Sequence, residues 1–176
     1  DEIALQLTAD PVLCAKTLRL ANSAYFHVSR TVSTVDDALR MLGFVMVRNL
    51  VTGCGVAGAF KGVQGMDMPA FWRYSLHTAC AASWLAQQAD RNTDQTFTVG
   101  LIHGLGHLVM HMAKPQGLAQ LDKEVHPLAP ERAQAETARL GYHHGDVSAE
   151  LARRWNFPAE IAEPLRQIPN PLAFEP

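Results

Sequence analysis

The chain has 176 residues, 48% hydrophobic and 18% charged, with 15 Lys and Arg against 17 Asp and Glu for a formal net charge of -2. This excludes disordered, collagen-like and low-complexity classes, and a chain this long buries roughly two-thirds of its unfolded surface without disulfide or metal staples. Lacking a Lys/Arg cluster, it has no electrostatic footprint for nucleic acid; its compositional oddity is eight histidines, imidazole being both a common metal ligand and a common general base.

The chain opens at Asp1 on an apolar-periodic segment, Ile3, Leu5 and Leu7, with no charged leader, and reads as a piece of a longer protein. Asp10 before Pro11 is an N-cap with proline at the first helical position, predicting a helix to about Ala24. Thr34 and Asp37 resemble a capping box; Val35, Ala38, Leu39 and Leu42 then follow helical spacing, and Gly43 is expected to end that helix. The most apolar stretch, Gly43 to Phe60, carries Arg48, Asn49 and several glycines and is too polar to span a bilayer. Cys14, Cys54 and Cys80 are widely spaced and form no disulfide framework, which fits a reducing cytoplasm.

A seam is expected at Lys61 to Met66, then a long helix capped by Asp67 and running to about Ala89. A second long helix is predicted from about Asp94 to Ala113, with others near 116–125, 130–140, 144–155 and 159–167, and a Pro-rich tail or linker over 169–176. No stretch shows sustained period-two alternation, so the fold class is all-α.

Three constellations carry possible chemistry. Gly53-Cys54-Gly55-Val56-Ala57-Gly58 satisfies G-x-G-x-x-G after a β-compatible run, Phe44 to Val51. A dinucleotide fingerprint needs a helix starting at the third glycine, and Gly62, Gly65 and Pro69 interrupt one. A helix or bend with small residues allowing close packing is the simpler reading, with nucleotide binding without chemistry as the alternative. His103, His107 and His111 fall at i, i+4 and i+8 and are expected along one helical stripe. That spacing suits a metal, or one buried, hydrogen-bonded histidine with two at the surface. His143, His144, Asp146 and Glu150 offer either a metal or base role for His144, oriented by Asp146, or simply a cap and acidic first turn for the next helix.

Read in order, these segments resemble the HDOD domain, the output-type relative of the metal-dependent HD phosphohydrolases of bacterial signalling. Asp10-Pro11-Val12-Leu13 leading into Leu18 to Tyr25 is close to that family's "DPxLxxxxLRLANSAxY", and Thr34 to Gly43 is similar to its "sixxAixxLG". Phe71-Trp72-Arg73-Tyr74-Ser75 is similar to "fWxxS", Gly100 to Gly106 to "GLLHDIG", and Leu140 to Pro158 to "LGxxHxxxGxxLaxxWxfP". The resemblance implies an HD-like helical bundle over 67–168 preceded by an N-terminal helical lobe over 1–63.

Set against the catalytic relatives, Tyr74 stands where an early helix would offer His, Gly104 replaces the Asp beside His103, and His107 takes the place of a lysine. Hydrolysis by a bound metal needs acidic ligands and an open position for water, and no carboxylate matches a ligand position. The resemblance therefore implies a non-catalytic signal-transduction module, cytoplasmic, without a cofactor or metal. It would act on signalling proteins or domains, among them cyclic-dinucleotide or two-component components, with neither nucleic acid nor membrane as partner. Arg19, Asn22, Ser23 and Arg48 are its interaction or pocket candidates, Asn22 and Ser23 having a structural alternative as helix-end groups. The alternative function is an HD-type phosphohydrolase with a rearranged site of His77, His103, His107 and His144. Partner, pathway, fused domains and oligomeric state are not legible.

Overall fold

The computed structural model describes residues 2–23, 31–60 and 62–171. Ala24 and Tyr25 of the first motif, Lys61 of the seam and the tail beyond residue 171 lie outside them. Ten helices and no strand occur among the described residues, arranged in two compact units, 1–59 and 60–176.

The first unit holds α1 (Glu2–Ala9), α2 (Pro11–Ala21) and α3 (Val35–Ala59). Asp10 caps α2 as expected: its Oδ1 accepts from the amides of Val12 at 2.8 Å and Leu13 at 3.1 Å. The helix ends at Ala21, before the expected Ala24, with Asn22 as its C-cap: the Asn22 amide still donates to Leu18 O, while its side chain braces the returning backbone. Its Nδ2 donates to Leu18 O at 2.9 Å and Val32 O at 2.7 Å, while Val32 N donates to its Oδ1 at 2.7 Å. Thr34 Oγ1 accepts from Asp37 N at 3.1 Å and opens α3. Leu7, Ala21, Val35, Ala38, Leu42 and Val47 form the core of this unit.

Gly43 was expected to terminate its helix; instead it kinks it. At φ 75, ψ 158 it takes a conformation closed to residues with a Cβ, and the chain resumes as helix to Ala59. The β-compatible run Phe44 to Val51 is therefore helical. So is the glycine motif, which rules out the strand-turn-helix a dinucleotide site requires. Among the described residues, a Cβ added at Gly55 or Gly58 would meet nothing within 4 Å, so the close packing expected of small residues does not occur at those two positions.

The second unit begins with α4 (Met68–Gln88), capped by Asp67, whose Oδ1 accepts from Ala70 N at 3.0 Å. The single helix expected over 94–113 is two, α5 (Thr93–Ile102) and α6 (Leu105–Ala113), broken at His103-Gly104. Asn92 caps α5, accepting from Asp94 N and Gln95 N. There follow α7 (Pro115–Glu124), α8 (Arg132–Leu140), α9 (His144–Arg154) and α10 (Ala159–Gln167). Helix α4 packs on α5, and α9 lies against both α6 and α10. Ile102, Leu105, Leu108, Leu118 and Leu165 are almost wholly buried between them, each worth about 1.5–3 kcal/mol of transfer free energy.

The α6–α9 contact is what assembles the histidines. Gly106 has no room for a side chain: a Cβ there would lie 1.9 Å from His144 O and 2.9 Å from Ser148 Oγ. Ser148 stitches the two helices from the other side, its Oγ accepting from Gly106 N and donating to His103 O, both at 2.8 Å.

Candidate functional site: a histidine pocket over a buried ion-pair chain

The break after α5 separates His103 from His107 and His111, so the three do not form the single stripe that their spacing predicts. Two of them are buried rather than one: His107 is 7% exposed and His111 2%, while His103, half-buried, follows the last residue of α5. His144, at the start of α9, stacks on His107 with ring centroids 3.9 Å apart and planes at 19°. The ring of Tyr74 lies 5.5 Å from that of His103.

Beneath the stacked pair lies a carboxylate that sequence reasoning missed. Glu136 of α8 is fully buried, and its Oε2 accepts from both the backbone N and the Nδ1 of His144 at 2.8 Å. Its Oε1 accepts from Arg132 Nε at 2.8 Å and stands 3.5 Å from His107 Nδ1, which has no hydrogen-bond partner. Arg132, 1% exposed, continues the chain of charges: Nη1 donates to Val125 O and lies 2.8 Å from Asp122 Oδ1. Asp122 Oδ2 in turn lies 2.8 Å from His111 Nε2, and His111 Nδ1 donates to His107 O. Two carboxylates thus bracket one guanidinium, with an imidazole at either end.

The electrostatics follow from this arrangement. Burial by itself pushes the Glu136 carboxyl up, but the hydrogen bonds from His144 and Arg132, with the nearby charges, outweigh it and hold the group at about 2. Burial drives the His107 ring well below the usual histidine range, and the neighbouring His144 adds to the effect. His103 is lowered too, chiefly by burial, its bond to the Gly100 carbonyl partly opposing that. His103 and His107 are therefore neutral at pH 7 above an ionised Glu136.

Above these rings opens a cavity of about 490 Å³, reached by Phe71, Tyr74, His103, His107, Asp122 and His144 among its walls. His77, one turn beyond Tyr74 on α4, is exposed and does not line it. The orienting carboxylate of His144 is Glu136, not Asp146. Asp146 instead forms a capping box with His143, accepting from His143 N at 3.1 Å while its own amide donates to His143 Nδ1. Glu150 is exposed and pairs with Arg153 and Arg154 at 2.9 Å. In the first unit, Asn22 is engaged with Val32, Arg19 is exposed in the last turn of α2, Ser23 has a buried hydroxyl without a hydrogen-bond partner, and Arg48 stands 5.9 Å over the Phe44 ring.

The HDOD domain model matches residues 1–171. The chain belongs to the HDOD family. It superimposes on the "Putative phosphohydrolase" from Shewanella amazonensis SB2B with a TM-score of 0.85 at 32% identity, over 99% of this chain and 62% of that one. An HDOD domain protein with unknown function from Geobacter sulfurreducens gives a TM-score of 0.83 at 25% identity, covering 100% and 59%. The "Putative signal transduction protein" from Marinobacter aquaeolei VT8 gives 0.80 at 27%, covering 99% and 40%. An uncharacterized protein of Treponema pallidum (strain Nichols) is 24% identical over 168 residues, which are 94% of this chain and 32% of that protein. The chain thus spans less than two-thirds of each relative's length. Within this HDOD chain no described helix is long and apolar enough to cross a membrane.

Proposed function

We propose that this HDOD chain is a non-catalytic regulatory module of bacterial signalling, cytoplasmic, acting by binding a protein or ligand. One observation carries the reading: the single carboxylate beneath the paired histidines is already neutralised by a buried guanidinium. A hydrolytic metal centre needs carboxylates with free lone pairs and a surplus of negative charge to hold the ion and its activated water. Here Glu136 Oε1 is taken by Arg132 and Oε2 by two N–H groups of His144, and Asp122 faces Arg132 and His111. The residues present do not fit that metal. The name of the Marinobacter relative supports a place in signal transduction, with cyclic-dinucleotide or two-component proteins as partner classes and Arg19, Asn22, Ser23 and Arg48 as surface candidates on the first unit.

A second reading, a metal-dependent phosphohydrolase, is favoured by one specific feature. Ligand atoms of His107, Glu136 and His144 all lie within 4.8 Å of one another, and His107 Nδ1 is unpartnered. The experiment is hydrolysis of bis(p-nitrophenyl) phosphate with Mg²⁺, Mn²⁺ or Fe²⁺ added. No turnover above the buffer rate is expected. Turnover abolished by His107→Ala would establish the second reading and overturn the first.

A further inference from the structure

The cavity in the second unit has a polarity that selects among ligands. Each of its inner histidines has Nδ1 directed into the protein: His103 donates to Gly100 O at 2.6 Å, His144 donates to Glu136, and His107 turns the same atom toward Glu136 Oε1. In the neutral His103 ring, whose Nδ1 carries the proton given to Gly100 O, Nε2 is left as an acceptor. Among the described lining residues the charged side chains are Asp67 and Asp122, with no Lys or Arg. Aromatic surface comes from Phe71 and Tyr74. At about 490 Å³ the space matches small-molecule sites, which run about 300–1,000 Å³.

We propose that this cavity binds a small flat aromatic molecule that presents N–H donors, neutral or singly positive, and that it discriminates against phosphate-bearing ligands. Aromatic walls stack a flat ring, the Nε2 lone pair of His103 and the Tyr74 hydroxyl accept its N–H groups, and the carboxylates tolerate a positive charge. A phosphate would meet acceptors and carboxylates with no Lys or Arg among the described lining residues to neutralise it, so a cyclic dinucleotide, with two phosphates, is a poor fit to this cavity. The inference rests on the pocket being a binding site rather than a metal centre, as proposed above.

The test is a titration of the chain followed by ¹H–¹⁵N and aromatic NMR shifts, with adenine as the neutral probe, benzamidine as the cationic one, and adenosine 5′-monophosphate and orthophosphate as the phosphate-bearing arms. Expected is saturable, millimolar or tighter binding of adenine or benzamidine with shifts at Phe71, Tyr74 and His103, and at least tenfold weaker binding of both phosphate arms. His103→Phe, which keeps the ring and removes the acceptor, should weaken it at least fivefold, as should Tyr74→Ser at an exposed position. No saturable shift with either flat probe, equal or tighter binding of the phosphate arms, or unchanged affinity in both variants would overturn the proposal. Such a failure without phosphodiester turnover sinks only the ligand class. Turnover sinks the regulatory reading itself.

Discussion

Replacing Glu136 with Gln isolates the role of the buried charge, because the side chain keeps its shape. Three N–H groups converge on the carboxylate: Arg132 Nε on one oxygen, and His144 N and Nδ1 on the other. An amide offers one oxygen and one NH₂, so in either orientation its NH₂ faces a donor. The better orientation strands Arg132 Nε; the other strands both His144 groups. One stranded buried donor costs about 1–3 kcal/mol, and breaking a buried ion pair costs about 3–5 kcal/mol. Asp122 still faces Arg132, which favours the lower end, so the expected loss is about 3 kcal/mol. For a chain of this size that is about 6–12 °C in Tm. All three tryptophans, Trp72, Trp84 and Trp155, lie in the second unit, so urea unfolding followed by tryptophan fluorescence at pH 7 reads the affected unit directly. A loss below about 1 kcal/mol, or a gain, would refute the reasoning. A gain is what a carboxylate retained for a ligand at the expense of stability would produce.

The pH dependence has a definite sign. Glu136 is depressed from 4.5 to about 2, so its contribution is complete above pH 4.5 and is lost as the pH falls from there toward 2, amounting to about 3 kcal/mol. His103 and His107 are depressed below 6.5, so under that pH the unfolded chain takes up protons the folded one does not, and stability falls further. Urea midpoints should therefore decline as the pH is lowered from 6.5, and Glu136→Gln should lack the part of the decline between 4.5 and 2; midpoints that rise between pH 7 and 5 would contradict this. Gly106→Ala forces a methyl against the backbone of His144 and should cost at least about 2 kcal/mol by overpacking, with the His107–His144 stacking lost from ring-proton NMR shifts; a variant as stable as the parent would show that α6 and α9 are not so closely apposed.

Helix starts that rest on one side chain bonding its own backbone were legible, as at Asp10, Thr34 and Asp67, since the signal is local. The interruptions were not. Gly43 stops a helix by local rules, yet apolar contacts, Val47 among them, reward resuming it, and periodicity over 94–113 runs through His103-Gly104 because both halves face one core. Glu136 was missed because its partners, Arg132 four residues before it and His144 eight after, converge on it only in the folded chain. It shares a helical face with Arg132, Ala133 and Leu140, and an i, i+4 Arg–Glu pair beside apolar residues was the available signal. That Arg132, four residues earlier, would fill the carboxylate required the burial of both, which no local pattern records.

The central claim is that Arg132 holds the carboxylate a metal would need. Its most direct test is the metal content of untagged protein after equilibration with Mn²⁺, Fe²⁺ or Zn²⁺ and removal of excess ion. Well under one ion per chain is predicted, unchanged in His107→Ala. One ion per chain, lost in His107→Ala and in Glu136→Gln, would contradict it.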